Sequence, residues 1–263
     1  RDAQHQRRLD LVSQDSSKVS WLRSKKEHRL THLADAVDPD YRADGQALLY
    51  VSRDPHSARF SLWSVALDET GAAAGEPRLL LQAPNAEKTG EEVWNFGIYT
   101  PRWSPSGDRI AFSWFDGNYR RIGVIDTLGN WMATPTVGGN DERDPVWLGD
   151  TTLLFSSNRG GIFNLWTLSL SNNEAKQITR MVGGAFSPAV SPDLKRVVFV
   201  GYDRDGFSLR SLQLDDELPE GGELAPIVRS PSLSLRDVEY NFANVDRSYH
   251  PLPSRFSAMP IIS

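Results

Sequence analysis

Four stretches of the chain carry the same order of polar and apolar positions: "RADGQALLYV" (42–51), "SPSGDRIAFS" (104–113), "WLGDTTLLFS" (147–156) and "SPDLKRVVFV" (191–200). In each, a cluster of Pro, Asp or Gly gives way to a run of β-branched and aromatic residues, which is how a turn followed by a strand is written. Downstream of the third stretch, Trp166, Leu168 and Leu170 alternate with Leu165, Thr167 and Ser169. That is the two-residue period of a strand. No stretch of ten or more residues holds a helical stripe. Each unit divides into four short strands; in the third they are "DPVWL", "TTLLFSSN", "NLWTLSL" and "AKQITRM". The separators "GD", "RGGIF" and "SNNE" are turn chemistry, Gly for positive φ and Asn or Asp for local side-chain bonds.

The units are anchored by Pro39, Pro101, Pro145 and Pro188, whose spacings are 62, 44 and 43 residues. A period near 40–45 residues built from four short strands predicts β-propeller blades, in an all-β chain. The long first interval contains an insertion at 83–99. Upstream, "HRLTHLADAVDP" parallels "KQITRMVGGAFSP", with Leu30-Thr31 opposite Ile178-Thr179, so residues 1–33 read as the end of a preceding blade. Blades are then expected at 34–82, 100–139, 140–182 and 183–229, with "ELAPIVR" as the last strand of the fourth. Residues 230–263, rich in proline, read as an exit linker. About four and a half blades predict a piece of a larger ring, and an open ring is expected to be marginally stable or to self-associate.

Composition narrows the function classes. With 29 basic and 34 acidic residues among 263, the net charge of −5 offers no basic footprint for nucleic acid. There are no cysteines, which excludes disulfides, thiol catalysis and Cys-ligated zinc. No apolar run approaches the roughly 18–20 residues that span a bilayer as a helix.

The motifs "TPRWSPSGDRIAFS", "SSNRGGIFNLWTLSL" and "KQIT" resemble the repeats of TolB-like propellers of the bacterial envelope. Pro101, Trp103, Ser104, Pro105 and Gly107 carry the pattern in the second blade. Asn158, Arg159, Gly160 and Gly161 carry it in the third, and Ser191-Pro192-Asp193 in the fourth. The resemblance spans roughly 18–215; the first blade departs from it with "DPDYRADG" and the third with "VWLGD". It implies the propeller fold and a periplasmic or outer-membrane-associated location. The tail "YNFANVDRSYHPLPSRFSAMP" resembles the join between such a propeller and a surface-antigen-type outer-membrane barrel.

Serine peptidases of the prolyl oligopeptidase type share these repeats, but the elbow G-x-S-x-G is absent, and Ser187 precedes a proline at a strand start. Neither Gly-rich phosphate loop occurs. His28 and His32 have helical metal spacing but fall on a strand, and read as solvated blade-edge residues. Asp38, Asp40, Asp44 and "NDERD" (140–144) are expected in blade turns, and "YDRDGF" (202–207) in a hairpin turn. No catalytic residue, metal or cofactor is expected. Trp63, Trp103, Trp147 and Trp166 recur at repeat positions and are expected to pack between blades.

The insertion, with Trp94, Phe96 and Tyr99, stands outside the repeat. In a four-stranded meander the blade-to-blade connections and the second-to-third-strand loops share one face. The expected binding residues on that face are Arg53, Arg59, Trp94, Phe96, Tyr99, Tyr119, Arg159 and Arg204, since Trp, Tyr and Arg dominate interface energetics. The expected function is a non-catalytic protein- or peptide-binding scaffold of the envelope. The alternative is the substrate-gating propeller of a serine peptidase whose catalytic domain lies elsewhere.

Overall fold

The second strand of each unit is its most apolar segment, and each becomes the buried spine of a sheet. The computed structural model describes residues 12–14, 27–31, 35–54, 59–83, 97–115, 117–136 and 139–214, and every regular element among them is a strand. β1 (Val12–Gln14) pairs with β2 (Glu27–Arg29). Four antiparallel meanders follow. The first is β3 (Asp35–Tyr41), β4 (Ala47–Arg53), β5 (Phe60–Ala66) and β6 (Arg78–Gln82). The second is β7 (Ile98–Trp103), β8 (Arg109–Phe115), β9 (Arg120–Asp126) and β10 (Trp131–Ala133). The third is β11 (Glu142–Trp147), β12 (Thr152–Ser157), β13 (Asn164–Ser169) and β14 (Ala175–Gln177). The fourth is β15 (Gly184–Val190), β16 (Arg196–Asp203) and β17 (Gly206–Gln213). These are the blades of a partial propeller. "ELAPIVR", Trp94, Phe96 and His32 lie outside the described residues.

Strand register makes the repeat residue-specific. Leu48, Ile110, Leu153 and Val197 stand opposite Tyr41, Trp103, Trp147 and Val190, so the four are equivalent. Because strand side chains alternate, each of these turns toward the preceding blade and its successor toward the following one. The packing obeys this. Leu49 and Val51 of the first blade meet Ile110 and Phe112 of the second. Ala111, Ile122 and Val124 of the second meet Leu153 and Phe155 of the third. Leu154 and Leu165 of the third meet Val197 and Phe199 of the fourth. Each fully buried aliphatic or aromatic side chain in these seams contributes about 1.5–3 kcal/mol. Leu30 packs on Leu48, Tyr50 and Val65, as the last strand of a preceding blade would.

The third strand of the fourth blade breaks the pattern. Leu209 pairs with Val200 as Leu62, Ile122 and Leu165 pair with Val51, Ser113 and Ser156. Those three equivalents are fully buried, whereas Leu209 is 79% exposed, with Val198 and Phe207 exposed beside it. The outer face of this blade is a blade-to-blade surface without its cover among the described residues.

The first strands β3, β7, β11 and β15 are spatial neighbours in that order. Each contains a bulge at its anchor proline. The residue before each proline, Asp38, Thr100, Asp144 and Ser187, has φ of 52°, 47°, 55° and 48°. Left-handed backbone is costly for a non-glycine residue, and a following proline narrows its choices further. Cross-blade hydrogen bonds hold the last three. The Thr100 N–H donates to Asp38 Oδ2 (2.9 Å), the Asp144 N–H to Ser113 Oγ (3.1 Å) and the Ser187 hydroxyl to Asp144 Oδ2 (3.3 Å). Asp40 Oδ2 accepts from the Trp103 N–H (2.8 Å), and Trp147 Nε1–H donates to the Arg102 carbonyl (3.0 Å).

Several expectations are corrected. Asp38 and Asp40 lie within β3, and Glu142 to Asp144 within β11, because the bulge lets a Pro-containing segment remain a strand; Asp44 does sit in a turn. Ile98 and Tyr99 open β7, so the insertion ends before them. His28 is half-buried with Nε2 enclosed, rather than solvated. Trp103 and Trp147 are buried in the seams, and Trp63 and Trp166 pack against them from partly exposed positions.

Candidate binding face

The start of every first strand pairs with the end of its second strand: Asp35 with Arg53, Ile98 with Trp114, Glu142 with Ser157, Gly184 with Tyr202. The second-to-third-strand loops and the blade connections therefore emerge at one end of the sheets. Two repeat positions line this end. One lies within a residue of the start of the third strand and is occupied by Phe60, Arg120, Phe163 and Phe207; the other precedes the bulge residue of the first strand, occupied by Val37, Tyr99, Arg143 and Phe186.

These positions touch across blades and form a belt. The Arg53 guanidinium lies over the Phe60 ring (5.9 Å), Phe60 meets Tyr99 (5.5 Å), and the Arg120 guanidinium lies over Tyr99 (4.1 Å). The Arg120 N–H donates to Asp141 Oδ1 (2.9 Å), whose Oδ2 accepts from Arg143 (2.7 Å). Arg143 lies over Phe163 (4.9 Å), which meets Phe186 (5.3 Å). The belt thus sets two ring pairs, Phe60–Tyr99 and Phe163–Phe186, against guanidinium groups from the first blade to the fourth. Burial works to raise the Asp141 carboxyl, but the Arg120 N–H and the Arg143 guanidinium overcome it and hold that group below its ordinary range.

Beside the belt, the third blade carries a polar intrusion. Glu142 occupies the position held by Ala36, Ile98 and Ala185 in the other blades, and is equally buried. Its Oε1 accepts from Arg159 and from the Ser157 hydroxyl (3.2 Å), while Oε2 is enclosed with no hydrogen-bond partner among the described residues. Arg159 is stacked on Trp166 (5.0 Å) and lies 5.4 Å from the Phe155 ring centre.

The expected binding residues divide accordingly. Arg53 and Tyr99 belong to the belt. Arg59 lies beside it, its Nε–H donating to the Ala83 carbonyl (3.2 Å) where the insertion departs. Tyr119 stands under Arg121 (5.8 Å) and is 38% exposed. Arg159 turns inward to Glu142, and Arg204 projects into solvent beside Asp205 (3.5 Å). Trp94 and Phe96 lie outside the described residues. Phe60, Arg120, Arg143, Phe163 and Phe186 were missed, although strand register marks all of them. Chemically the face offers ring surfaces for stacking and guanidinium donors for anions and carbonyls. Among the described residues no group of three or more His, Asp or Glu is placed to hold a metal, and no helix is long and apolar enough to cross a membrane.

The architecture defines a β-propeller of four-stranded blades. It is the TolB-like form of that fold: a putative TolB from Agrobacterium tumefaciens superposes with a TM-score of 0.58 at 20% identity, covering 73% of this chain and 66% of that one. A puromycin hydrolase superposes with a TM-score of 0.56 at 16% identity, covering 71% of this chain and 28% of that one. In sequence, an uncharacterised protein of Agrobacterium fabrum is 26% identical over 138 residues, 52% of this chain and 43% of the relative, so the chain spans under half the length of the curated relative it matches. No family model matches the sequence.

Proposed function

We propose that the chain is a non-catalytic propeller scaffold of the bacterial cell envelope that binds a protein or peptide through its aromatic–guanidinium face. The belt from Arg53 to Phe186 carries this reading. It places large rings and Arg donors, the groups that dominate interface energetics, at equivalent positions of successive blades on one face. Loops and strand ends on a rigid sheet scaffold are where binding groups are commonly displayed. The TolB likeness supports an envelope location, periplasmic or outer-membrane-associated. The test is site-specific photo-crosslinking in bacterial envelopes, with benzoylphenylalanine at Tyr119 on this face or at Glu69 in a β5–β6 turn on the other. A discrete protein adduct from position 119 and none from position 69 is expected; equal yields from both, or none from either, would refute it.

The likeness to puromycin hydrolase favours a second reading, a substrate-gating propeller of a serine peptidase. In the full gene product, labelling by a fluorophosphonate probe would replace the first reading with this one.

A further inference from the structure

Four residues at the junction of the first and second blades form a bracket: Arg53 over Phe60, Phe60 against Tyr99, Arg120 over Tyr99. Arg143 and Arg159 on this face already hold acids, Asp141 and Glu142. The guanidiniums of Arg53 and Arg120 have no carboxylate within ion-pair distance among the described residues; Asp141 takes its hydrogen bond from the Arg120 backbone N–H and feels the Arg120 charge only from beyond that distance. A guanidinium stacked on a ring is partly dehydrated on that side and keeps its in-plane N–H groups directed outward, the arrangement that grips a carboxylate with two hydrogen bonds.

Resting on the protein-binding reading above, we infer that this bracket receives an acidic, aromatic-containing peptide segment of the partner, its carboxylates on Arg53 and Arg120 and an apolar side chain against Phe60 and Tyr99. A short mixed segment fits better than a uniform polyanion. The whole chain carries a net charge of −5, so dense negative charge is repelled at range, while two ring-backed guanidiniums act at contact.

The probe is the acetylated, amidated hexapeptide EEWEEF, titrated into the 263-residue chain with the Arg Nε–H resonances observed by NMR. Its glutamine analogue QQWQQF and hexagalacturonate serve as comparisons. EEWEEF should shift the Arg53 and Arg120 signals. The double variant R53Q/R120Q should weaken binding by roughly tenfold or more, since at least two charge-assisted hydrogen bonds are lost. K195Q, in a turn at the opposite end of the sheets, should leave it unchanged, and unaltered backbone spectra should establish that the variants are folded. Equal binding of QQWQQF, or indifference to the double variant, would overturn the inference. Preferred binding of hexagalacturonate would overturn it in favour of an acidic saccharide. If the photo-crosslink at position 119 still captures a protein while EEWEEF leaves both arginines unmoved, the acidic chemistry is wrong and the protein-binding reading survives.

Discussion

Replacing Arg159 with alanine strips a buried carboxylate of its cation. Glu142 is only 3% exposed at the side chain, it already has one oxygen without a hydrogen-bond partner among the described residues, and Arg159 supplies most of what the other oxygen accepts. Removing one member of a buried ion pair costs about 3–5 kcal/mol. Arg159 retains a 22% exposed side chain, so water can partly take its place and about 2–3 kcal/mol is the expected loss. For a unit of this size that lowers the melting temperature by about 4–12 °C. The repeat supplies the control. Ile98 fills the equivalent position in the second blade, so Glu142→Ile with Arg159→Leu rebuilds an apolar seam. The double variant should lose less than about 1 kcal/mol, because an ion pair and a packed apolar pair are nearly equivalent in a protein interior. Urea denaturation of both variants decides it. A single variant within about 0.5 kcal/mol of the parent, or a double variant as unstable as the single, would refute the argument.

A matched pair of alanine substitutions tests the open blade face: Leu165→Ala should cost about 2–5 kcal/mol, and Leu209→Ala, at the equivalent but exposed position, less than about 0.5 kcal/mol, both read from urea midpoints. Asp38→Asn should be tolerated, as it keeps an acceptor for the Thr100 N–H and adopts left-handed backbone readily, whereas Asp38→Val should cost about 2 kcal/mol or more in the same assay. The pH dependence follows from carboxyls held low: Asp44 by Arg42, Asp68 by Thr70, Asp126 by Asn130 and Asp193 by Ser191. A group depressed on folding stabilises above its unfolded pKa of 3.8 and loses that contribution as pH falls toward the folded value, so thermal stability should drop between about pH 5 and pH 3. Asp40 runs the other way: burial raises its carboxyl, so its charge works against folding at neutral pH, and Asp40→Asn should melt no lower than the parent at pH 7 and lower relative to it in acid. The uncovered blade face also predicts that the chain alone self-associates or melts low; a monomeric, cooperative transition above about 65 °C would contradict it.

Most of the fold was legible because a propeller blade is a local structure. Its strands are consecutive, its turns carry their own Gly, Asp and Pro, and its period survives in the positions of Pro39, Pro101, Pro145 and Pro188. The bulges were hidden. A proline ordinarily argues against a strand interior, and nothing in "DPDY" or "ERDP" says that a left-handed residue will absorb the disruption and leave Asp38 and Glu142 in strands. The face was legible only as a set of loops. Reading loops found Arg53 and Tyr119 but passed over Phe60, Arg120 and Phe163, which stand where the loops run into the third strands. Their proximity to Tyr99, Arg143 and Phe186 depends on how one blade is rotated against the next. That angle is a property of packed sheets and leaves no mark in a single repeat. Glu142 could have been noticed as the one acid among Ala36, Ile98 and Ala185, had the register been known.

The left-handed residues of the inner strands impose a direction on assembly. The Thr100 amide is held by Asp38, the Asp144 amide by Ser113 and the Ser187 hydroxyl by Asp144. In every case the anchoring group belongs to the blade translated earlier. As the chain leaves the ribosome, each first strand after β3 finds its strained turn matched by an acceptor already in place, so its distortion is stabilised without waiting for sequence still to be made. Order of synthesis and order of docking then coincide, and a permuted gene that starts in the middle of the array would have to form its first bulge without a template.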